Sequence, residues 1–214
     1  MKVDAETPAA MRVSEDVFYS EEYEGSPYEY LDGELVVCEP VSTLHDDLFG
    51  FLCGVMRCTF EERGDGLVKG PEYPMRLDPK WSPEPDVMVV RAENVHRIGA
   101  QRIEGPADLV IEVASPGDAR RALRVKLPRY RQARIPEIWV VDPYARSVRV
   151  ETLQETETAK ISELPETLAY HSRVVTAGRL DSAVFPGFWI DVSWLWQQPL
   201  PRTLACVRQI LGRI

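Results

Sequence analysis

The chain has few histidines and cysteines and no hydrophobic run long enough to cross a membrane. It contains 3 histidines and 4 cysteines among 214 residues, and Cys53 and Cys58 lack zinc-site spacing, so free structural thiols are expected. The longest strongly apolar stretch covers only residues 48–56. The first residues lack the basic and apolar regions of a signal peptide. We therefore expect a cytoplasmic protein with no membrane partner.

Two common signatures of enzyme chemistry are also missing. There is no glycine-rich phosphate loop, and Ser115 lacks the Gly-x-Ser-x-Gly context of a nucleophilic hydrolase. The formal net charge of −9 is unlike that of a dedicated nucleic-acid-binding domain, which usually has a basic face. These absences argue against nucleotide hydrolysis by a P-loop and against serine hydrolase chemistry. If the protein binds phosphate groups, the site is therefore expected on a local cationic patch.

One dense basic run, from Arg120 to Arg134, stands out from this acidic background. The simpler interpretation is the solvated face of a helix. The alternative is a local cationic patch that holds phosphates despite the overall negative charge. In that case Arg120, Arg121 and Arg124 are the candidate contacts to nucleic acid.

The order of predicted elements begins with a hairpin and a long helix. The hairpin covers residues 28–39 with an Asp32-Gly33 turn, and Ser42 is expected to cap a helix that runs to about Arg63. The elements predicted after it are strands near 67–69, 73–77 and 86–90, a strand containing Glu112, a basic helix from about Asp118, a strand at 138–142, antiparallel strands to about Val175, a short element at 189–196 and a helix from Arg202 to Ile214.

This order predicts an α/β fold with a mixed central β-sheet flanked by helices and an added β-hairpin region. A composition of 44% hydrophobic and 28% charged residues fits one globular domain. We divide the chain into an N-terminal arm (1–27), a main domain (28–196) and a C-terminal helix (197–214). The apolar face of that helix would pack on the main domain or on a second copy in a homodimer.

Acidic residues enter three of the apolar strands. In the strand from Asp108 to Ala114, alternation places Glu112 on the opposite face from its two apolar neighbours. An ionised Glu in such a strand is costly unless it is paired, hydrogen-bonded or bound to a metal. Asp86 opens a second apolar strand, and Glu34 follows the hairpin turn. Three acids at apolar strands indicate a functional site.

Asp86 and Glu112 would meet if their strands are neighbours. Two carboxylates with open positions suit Mg²⁺ or Mn²⁺, which bind oxygen ligands and keep several waters. Such an ion polarises a phosphodiester and activates water. A cation two residues after Glu112 would complement this site, but that position is Ala114. Lys126 on the following helix has a side chain long enough to replace it.

At this point the sequence resembles the Uma2 family, whose members are classed with the restriction-endonuclease-like PD-(D/E)xK nucleases. The resemblance covers about residues 28–196. It rests on Asp-Gly-Glu-Leu-Val (32–36), Glu-Pro-Asp (84–86), Asp-Leu-Val-Ile-Glu-Val-Ala-Ser-Pro (108–116), Lys-Leu-Pro-Arg-Tyr (126–130), Ile-Pro-Glu-Ile-Trp-Val-Val-Asp-Pro (135–143) and the closing segment 184–195, in that order.

The resemblance implies a restriction-endonuclease-like fold and a Mg²⁺- or Mn²⁺-dependent endonuclease acting on DNA. It implies Asp86 and Glu112 as metal ligands, Lys126 as the catalytic lysine and Glu34 as an accessory catalytic acid. The chain departs from the superfamily at Ala114, where the usual acidic-x-Lys motif has its lysine. Pro128 is expected to kink or restart the helix that contains Lys126.

Several alternatives stay open at this stage. Glu112 could instead pair with an arginine of the basic helix, and Glu34 could form an ion pair across strands. Asp86 could be a turn residue at the entry to its strand, and Lys126 could be a solvated lysine on the surface of its helix. His45 is expected to cap its helix or to lie on the surface. Asp108 is expected to order the start of its strand. At the level of function, the alternatives are an RNA nuclease and a catalytically degenerate nuclease fold that acts as a binding or regulatory module.

Overall fold

The computed structural model describes residues 11–20, 23, 28–37, 42–115, 122–155 and 168–213. The strands are β1 (Met11–Arg12), β2 (Tyr28–Leu31), β3 (Glu34–Val37), β4 (Gly66–Lys69), β5 (Met75–Arg76), β6 (Trp81–Ser82), β7 (Val87–Arg91), β8 (Ile103–Glu104), β9 (Leu109–Val113), β10 (Glu137–Asp142), β11 (Ser147–Glu155), β12 (Leu168–Val175), β13 (Arg179–Asp181) and β14 (Trp189–Asp191). The helices are α1 (Glu15–Phe18), α2 (Thr43–Arg63), α3 (Leu127–Gln132) and α4 (Thr203–Ile210), together with a π-helical turn (Ala122–Lys126) and two 3₁₀ helices (Ala92–Arg97 and Val192–Trp196).

A mixed sheet forms the centre of the molecule. In the part of the chain that is described, it has six strands in the order β12-β11-β10-β9-β7-β4. β9 and β10 run parallel, and the other neighbouring pairs are antiparallel. A parallel pair needs a crossover connection, and here the crossover contains the π-helical turn and α3. The predicted α/β fold with a mixed sheet is confirmed.

The two faces of this sheet are covered by different helices. α2 and α4 pack on the face that includes Leu109, Ile111 and Val113, whereas α3 packs on the face that includes Val110. The alternation predicted for β9 is therefore confirmed. Because Glu112 lies on the same face as Val110, its carboxylate points toward α3 and not toward the larger core under α2.

Local sequence features set the ends of α2 as predicted. The Ser42 hydroxyl accepts a hydrogen bond from the His45 backbone N–H at 3.2 Å, and Gly64 ends the helix in a left-handed conformation (φ 69°). This cap holds the N-terminal turn of α2, which includes His45, beside the start of β7.

The hairpin belongs to a second, smaller sheet, in the order β1-β3-β2-β6 among the described strands. Asp32 and Gly33 both have positive φ (55° and 83°), as the tight hairpin turn predicted there requires. The predicted N-terminal arm supplies β1 and α1, and the Phe18 ring stacks on Tyr30 at 5.2 Å. The domain boundary at residue 27 stays a prediction, and residues 1–10, 21–22 and 24–27 lie outside the described residues.

The helix that bears Lys126 is interrupted where Pro128 predicts it. The chain forms a π-helical turn up to Lys126, and α3 then starts with Pro128 in its first turn. A proline is tolerated there because the first N–H groups of a helix have no intrahelical partner. A π-helical turn places the side chain of Lys126 differently from a regular α-helix, and such turns are frequent at functional sites.

Two buried carboxylates outside the site have structural roles. Asp108 accepts hydrogen bonds from the Arg91 backbone N–H and the Asn94 side chain, both at 2.8 Å, so it orders the start of β9 as expected. Glu137 is fully buried, and it accepts bonds from Ser182 Oγ at 2.6 Å and Trp139 Nε1 at 2.9 Å. Glu137 thus ties β10 to the segment after β13.

Replacing Glu137 with Gln is expected to destabilise the fold by about 2 kcal/mol, because the amide brings a donor to a site where donors already converge. Ser182 Oγ and the backbone N–H of Ala183 both donate to Glu137 Oε2. Urea unfolding measures the change, with Glu93→Gln on an exposed side chain as the matched control. Equal midpoints for the two variants would contradict a structural role for Glu137.

Candidate active site

Asp86 and Glu112 lie side by side at one end of the central sheet. β7 and β9 are antiparallel with Val87 opposite Ile111, and continuing this register by one residue sets Asp86 opposite Glu112. Asp86 Oδ2 accepts a hydrogen bond of 2.6 Å from the Val113 backbone N–H. The structure therefore brings together the two acids that the sequence indicated as metal ligands.

Lys126 reaches the same place from the π-helical turn. Its Nζ lies 3.2 Å and 3.3 Å from the two carboxylate oxygens of Glu112 and 2.7 Å from Glu29 Oε1. The lysine is thus held between an acid of the central sheet and an acid of the hairpin. This contact is expected if the Lys126 ammonium takes the place of the lysine that the acidic-x-Lys motif usually has where this chain has Ala114.

Tyr130 is a member of the site that sequence reasoning missed. Its hydroxyl donates a hydrogen bond of 2.6 Å to Glu112 Oε1, and its ring stacks on Trp81 with centroids 5.4 Å apart. The available indication was spacing, because residues four apart on a helix share a face. Tyr130 follows Lys126 by four, and both contact Glu112.

Glu29 is a second missed residue, and Glu34 lies elsewhere. The Glu34 carboxylate pairs with Arg12 Nε at 3.0 Å, across the β1–β3 register, which is the cross-strand alternative that the sequence left open. The acid in contact with Lys126 is Glu29, on the other strand of the hairpin. In β2, Glu29 precedes the buried Tyr30, so alternation places it on the opposite face from that ring.

His45 is buried beside Asp86, so the expectation of a surface or capping side chain was wrong. Its Nε2 lies 3.2 Å from Asp86 Oδ2. The imidazole contacts Asp86 because the capped first turn of α2 lies beside the end of the sheet where β7 begins. His45 therefore helps to orient this carboxylate.

The electrostatics of the site are dominated by burial and by acidic charge. Burial raises the pKa of Glu112, Lys126 opposes this shift, and Asp86 adds to it. Burial alone would lower the pKa of Lys126, but the neighbouring Glu112 and Glu29 outweigh it and raise the pKa. Lys126 is therefore an ammonium ion at neutral pH. A group held in this form can donate hydrogen bonds but cannot accept a proton.

Glu84 adds a further carboxyl group next to the cluster. Burial and the nearby Glu29 raise the pKa of Glu84 to about 8. Among the described residues, the carboxyl groups of Glu29, Glu84, Asp86 and Glu112 thus surround the single ammonium of Lys126. At neutral pH the raised pKa keeps the Glu84 carboxyl mainly protonated, so the binding of a cation is favoured by the other acids of the cluster.

The basic run contributes less to a free cationic surface than its composition indicates. Arg129 pairs with Asp32 at 2.5 Å, and Arg131 pairs with the buried Glu151 at 2.5 Å. Arg124 is exposed on the π-helical turn. Arg120 and Arg121, the other predicted phosphate contacts, lie outside the described residues.

The carboxylates at this end of the sheet fit a divalent metal ion. No group of three or more His, Cys, Asp and Glu side chains in the described part of the chain is arranged to hold a metal. Mg²⁺, however, is typically bound through one or two carboxylates with waters and substrate phosphates as the other ligands. Asp86 and Glu112 supply two such carboxylates from adjacent strands.

The molecule has a mixed sheet with helices on both faces and acidic residues at one end of two neighbouring strands. This architecture defines a nuclease-like fold. The structure is similar to a crystal structure described as "a putative nuclease belonging to DUF820" from Anabaena variabilis ATCC 29413, with a TM-score of 0.67 and 14% identity. The match covers 86% of this chain and 97% of the other. At this identity the similarity supports the fold alone.

The sequence comparison identifies the family. The chain belongs to the Uma2 family, described as "Putative restriction endonuclease", whose sequence model matches residues 15–193. The comparison with curated proteins finds no match. Among the described residues, no helix has the length and apolar character needed to cross a membrane.

Proposed function

We propose that this protein is a metal-dependent endonuclease that hydrolyses phosphodiester bonds in DNA. The observation that supports this most is the contact of Lys126 with Glu112 beside Asp86, on adjacent strands of a nuclease-like fold. The family description favours the same chemistry.

Asp86 and Glu112 would hold Mg²⁺ or Mn²⁺. An ion bound there supplies Lewis-acid polarisation of the phosphodiester and lowers the pKa of a bound water. The two carboxylates are oriented before any ligand arrives, because Val113 N–H and His45 contact Asp86 and the Tyr130 hydroxyl contacts Glu112. In metal sites, hydrogen bonds of this kind from neighbouring groups fix the orientation of the metal ligands.

Lys126 would stabilise the negative charge that develops on the phosphate during hydrolysis. Its raised pKa, caused by Glu112 and Glu29 against the effect of burial, makes it a hydrogen-bond donor and not a base. The role of orienting the water or the phosphate is therefore favoured over the role of deprotonating the water. Arg124, and by prediction Arg120 and Arg121, would contact neighbouring phosphates.

The proposal is tested by incubating the purified protein with supercoiled plasmid and Mg²⁺ or Mn²⁺, next to a sample with EDTA. We expect nicking that requires the metal. No cleavage of plasmid or of single-stranded RNA with either metal would overturn nuclease function and favour the binding module. That alternative is supported by Ala114 at the usual lysine position and by the net charge of −9. Cleavage of RNA alone would correct the substrate.

Glu29→Gln is expected to lower the cleavage rate by about tenfold, because the variant removes one of the two carboxylates that hold the Lys126 ammonium. Rates on plasmid with saturating Mn²⁺ measure the effect, and Glu34→Gln on the other strand of the hairpin is the matched control. The control is expected to cleave at the wild-type rate, since Glu34 pairs with Arg12. A loss confined to Glu34→Gln would restore Glu34 as the accessory acid.

A further inference from the structure

A cavity lies next to the acidic cluster, on the side of the N-terminal segment. It has a volume of about 130 Å³, and its lining includes Tyr19, Tyr73, Glu72, Glu84 and Gln101. Glu84 belongs to both regions, because its backbone N–H donates to Glu29 Oε1 at 3.4 Å and it is one of the residues that line the cavity. A single residue, Pro85, separates Glu84 from Asp86. A ligand in this cavity would therefore lie next to the proposed metal site.

Two aromatic rings of the cavity wall are fixed by hydrogen bonds. The Tyr19 hydroxyl donates to Ser82 Oγ at 2.6 Å, and the Tyr73 hydroxyl donates to the Gly99 carbonyl oxygen at 2.8 Å. Anchored rings lose little entropy when a flat ligand packs against them. The cavity wall is thus suited to an aromatic ligand of small size.

Two cations lie against the same rings. The Arg102 guanidinium is 4.1 Å from the Tyr19 ring centroid, and Lys69 Nζ is 4.5 Å from the Tyr73 ring centroid. Aromatic side chains interleaved with cations are the usual features of single-stranded nucleic-acid sites, where bases stack and the cations contact phosphates. Lys69 and Arg102 lie beside the cavity and do not line it, and Arg102 also pairs with Glu104 at 2.7 Å. They would contact the phosphate of a nucleotide whose base occupies the cavity.

The geometry points to a subsite for one unpaired nucleobase that has an exocyclic amino group, next to the phosphate to be cleaved. This inference rests on the proposed nuclease function, because it is that function that brings a nucleotide to Asp86 and Glu112. The carboxylate of Glu72 provides an oxygen acceptor for an amino group, as carboxylates do when they accept from cytosine N4. Uracil and thymine have carbonyl oxygens at the equivalent position, and these would face an acceptor. Bases without the amino group would therefore bind less tightly.

The first experiment titrates free nucleotides into the ¹⁵N-labelled full chain in EDTA and follows the backbone amides of Tyr73, Glu84 and Gln101 by NMR. CMP and UMP form a matched pair, since they differ in the amino group at one ring position, and AMP and IMP form a second pair. We expect CMP and AMP to bind about tenfold more tightly than UMP and IMP, as loss of a hydrogen bond to a charged group predicts. Equal affinities within both pairs, or shifts confined to other regions, would overturn the subsite.

Variants separate stacking from hydrogen bonding. Tyr73→Ala is expected to weaken CMP binding about tenfold, whereas Tyr73→Phe keeps the ring and is expected to bind as the wild type does. Glu72→Gln is expected to bring CMP and UMP within about threefold of each other. Thermal melting identifies any variant that fails to fold, and if Tyr73→Ala does not fold, Glu72→Gln decides the outcome. Unchanged discrimination in Glu72→Gln would contradict the assignment of this acid.

The titration also separates this inference from the proposed function, because it requires neither metal nor cleavage. A protein that nicks plasmid but binds all nucleotides equally is a nuclease without this subsite. A protein that discriminates CMP from UMP but does not cleave has the subsite without the activity. Comparing dCMP with CMP then shows whether the sugar of DNA or of RNA is preferred.

Discussion

Asp86→Asn and Glu112→Gln are each expected to lose metal-dependent cleavage by about 1000-fold or more, which corresponds to about 4 kcal/mol of transition-state stabilisation. The reason is charge, because a neutral amide binds a divalent cation far less well than a carboxylate does. Burial makes Glu112 costly to ionise. We therefore expect that neither carboxylate alone holds the metal and that both are needed. Nicking of supercoiled plasmid in Mn²⁺ measures the loss.

These substitutions are chosen to change the charge and preserve the fold. Asn at position 86 keeps an oxygen that can accept the Val113 N–H bond of 2.6 Å, so the register of β7 and β9 is retained. Urea unfolding checks this, and titration calorimetry with Mn²⁺ is expected to lose the heat of binding in both variants. Wild-type cleavage rates in both purified variants would remove Asp86 and Glu112 from the site.

Lys126→Met is expected to lower cleavage by about 100-fold or more while Mn²⁺ binding is retained. The methionine keeps most of the buried stem of the lysine and removes the ammonium that contacts Glu112 and Glu29. The metal ligands remain, so loss of rate without loss of metal affinity identifies a group that acts on the substrate. Cleavage at the wild-type rate would assign Lys126 a structural role only.

A second substitution tests the idea that Lys126 replaces a cation missing from β9. The position two residues after Glu112 is Ala114, which is buried on the same face of the strand by alternation. In the Lys126→Met background, Ala114→Lys is expected to restore at least tenfold of the lost activity, as measured by plasmid nicking. A folded double variant with no recovery would show that a lysine at Ala114 cannot reach the reacting phosphate.

The sequence placed Asp86 and Glu112 on apolar strands, whereas their proximity depends on the pairing of β7 with β9, which the tertiary structure decides. Both acids occur in short apolar strands, and alternation alone assigns Glu112 to the face opposite Ile111 and Val113. The break at Pro128 in the helix that bears Lys126 was also predictable from local sequence, because the loss of one backbone N–H acts within a single helical turn.

The vacancy at Ala114 already indicated Lys126, and the resemblance to a known family implied the same role for it but did not predict the whole site. It implied Glu34 as the accessory acid, and the structure instead has Glu29 against the lysine. The two acids lie on opposite strands of one hairpin, and local pattern cannot decide which of them contacts Lys126. His45 was misjudged in the same way, because its contact with Asp86 depends on how α2 packs on the sheet.

Turns, caps and strand faces followed from the sequence because each depends on neighbours within a few residues: Asp32-Gly33 in the hairpin and Ser42 at α2 are examples. The clamp around Lys126 depends on packing between distant elements, since 97 residues separate Lys126 from Glu29 and 41 separate His45 from Asp86. Such contacts form only when the hairpin, α2 and α3 dock together on one sheet. The docking is governed by the shapes of two cores, which no single segment of the chain encodes.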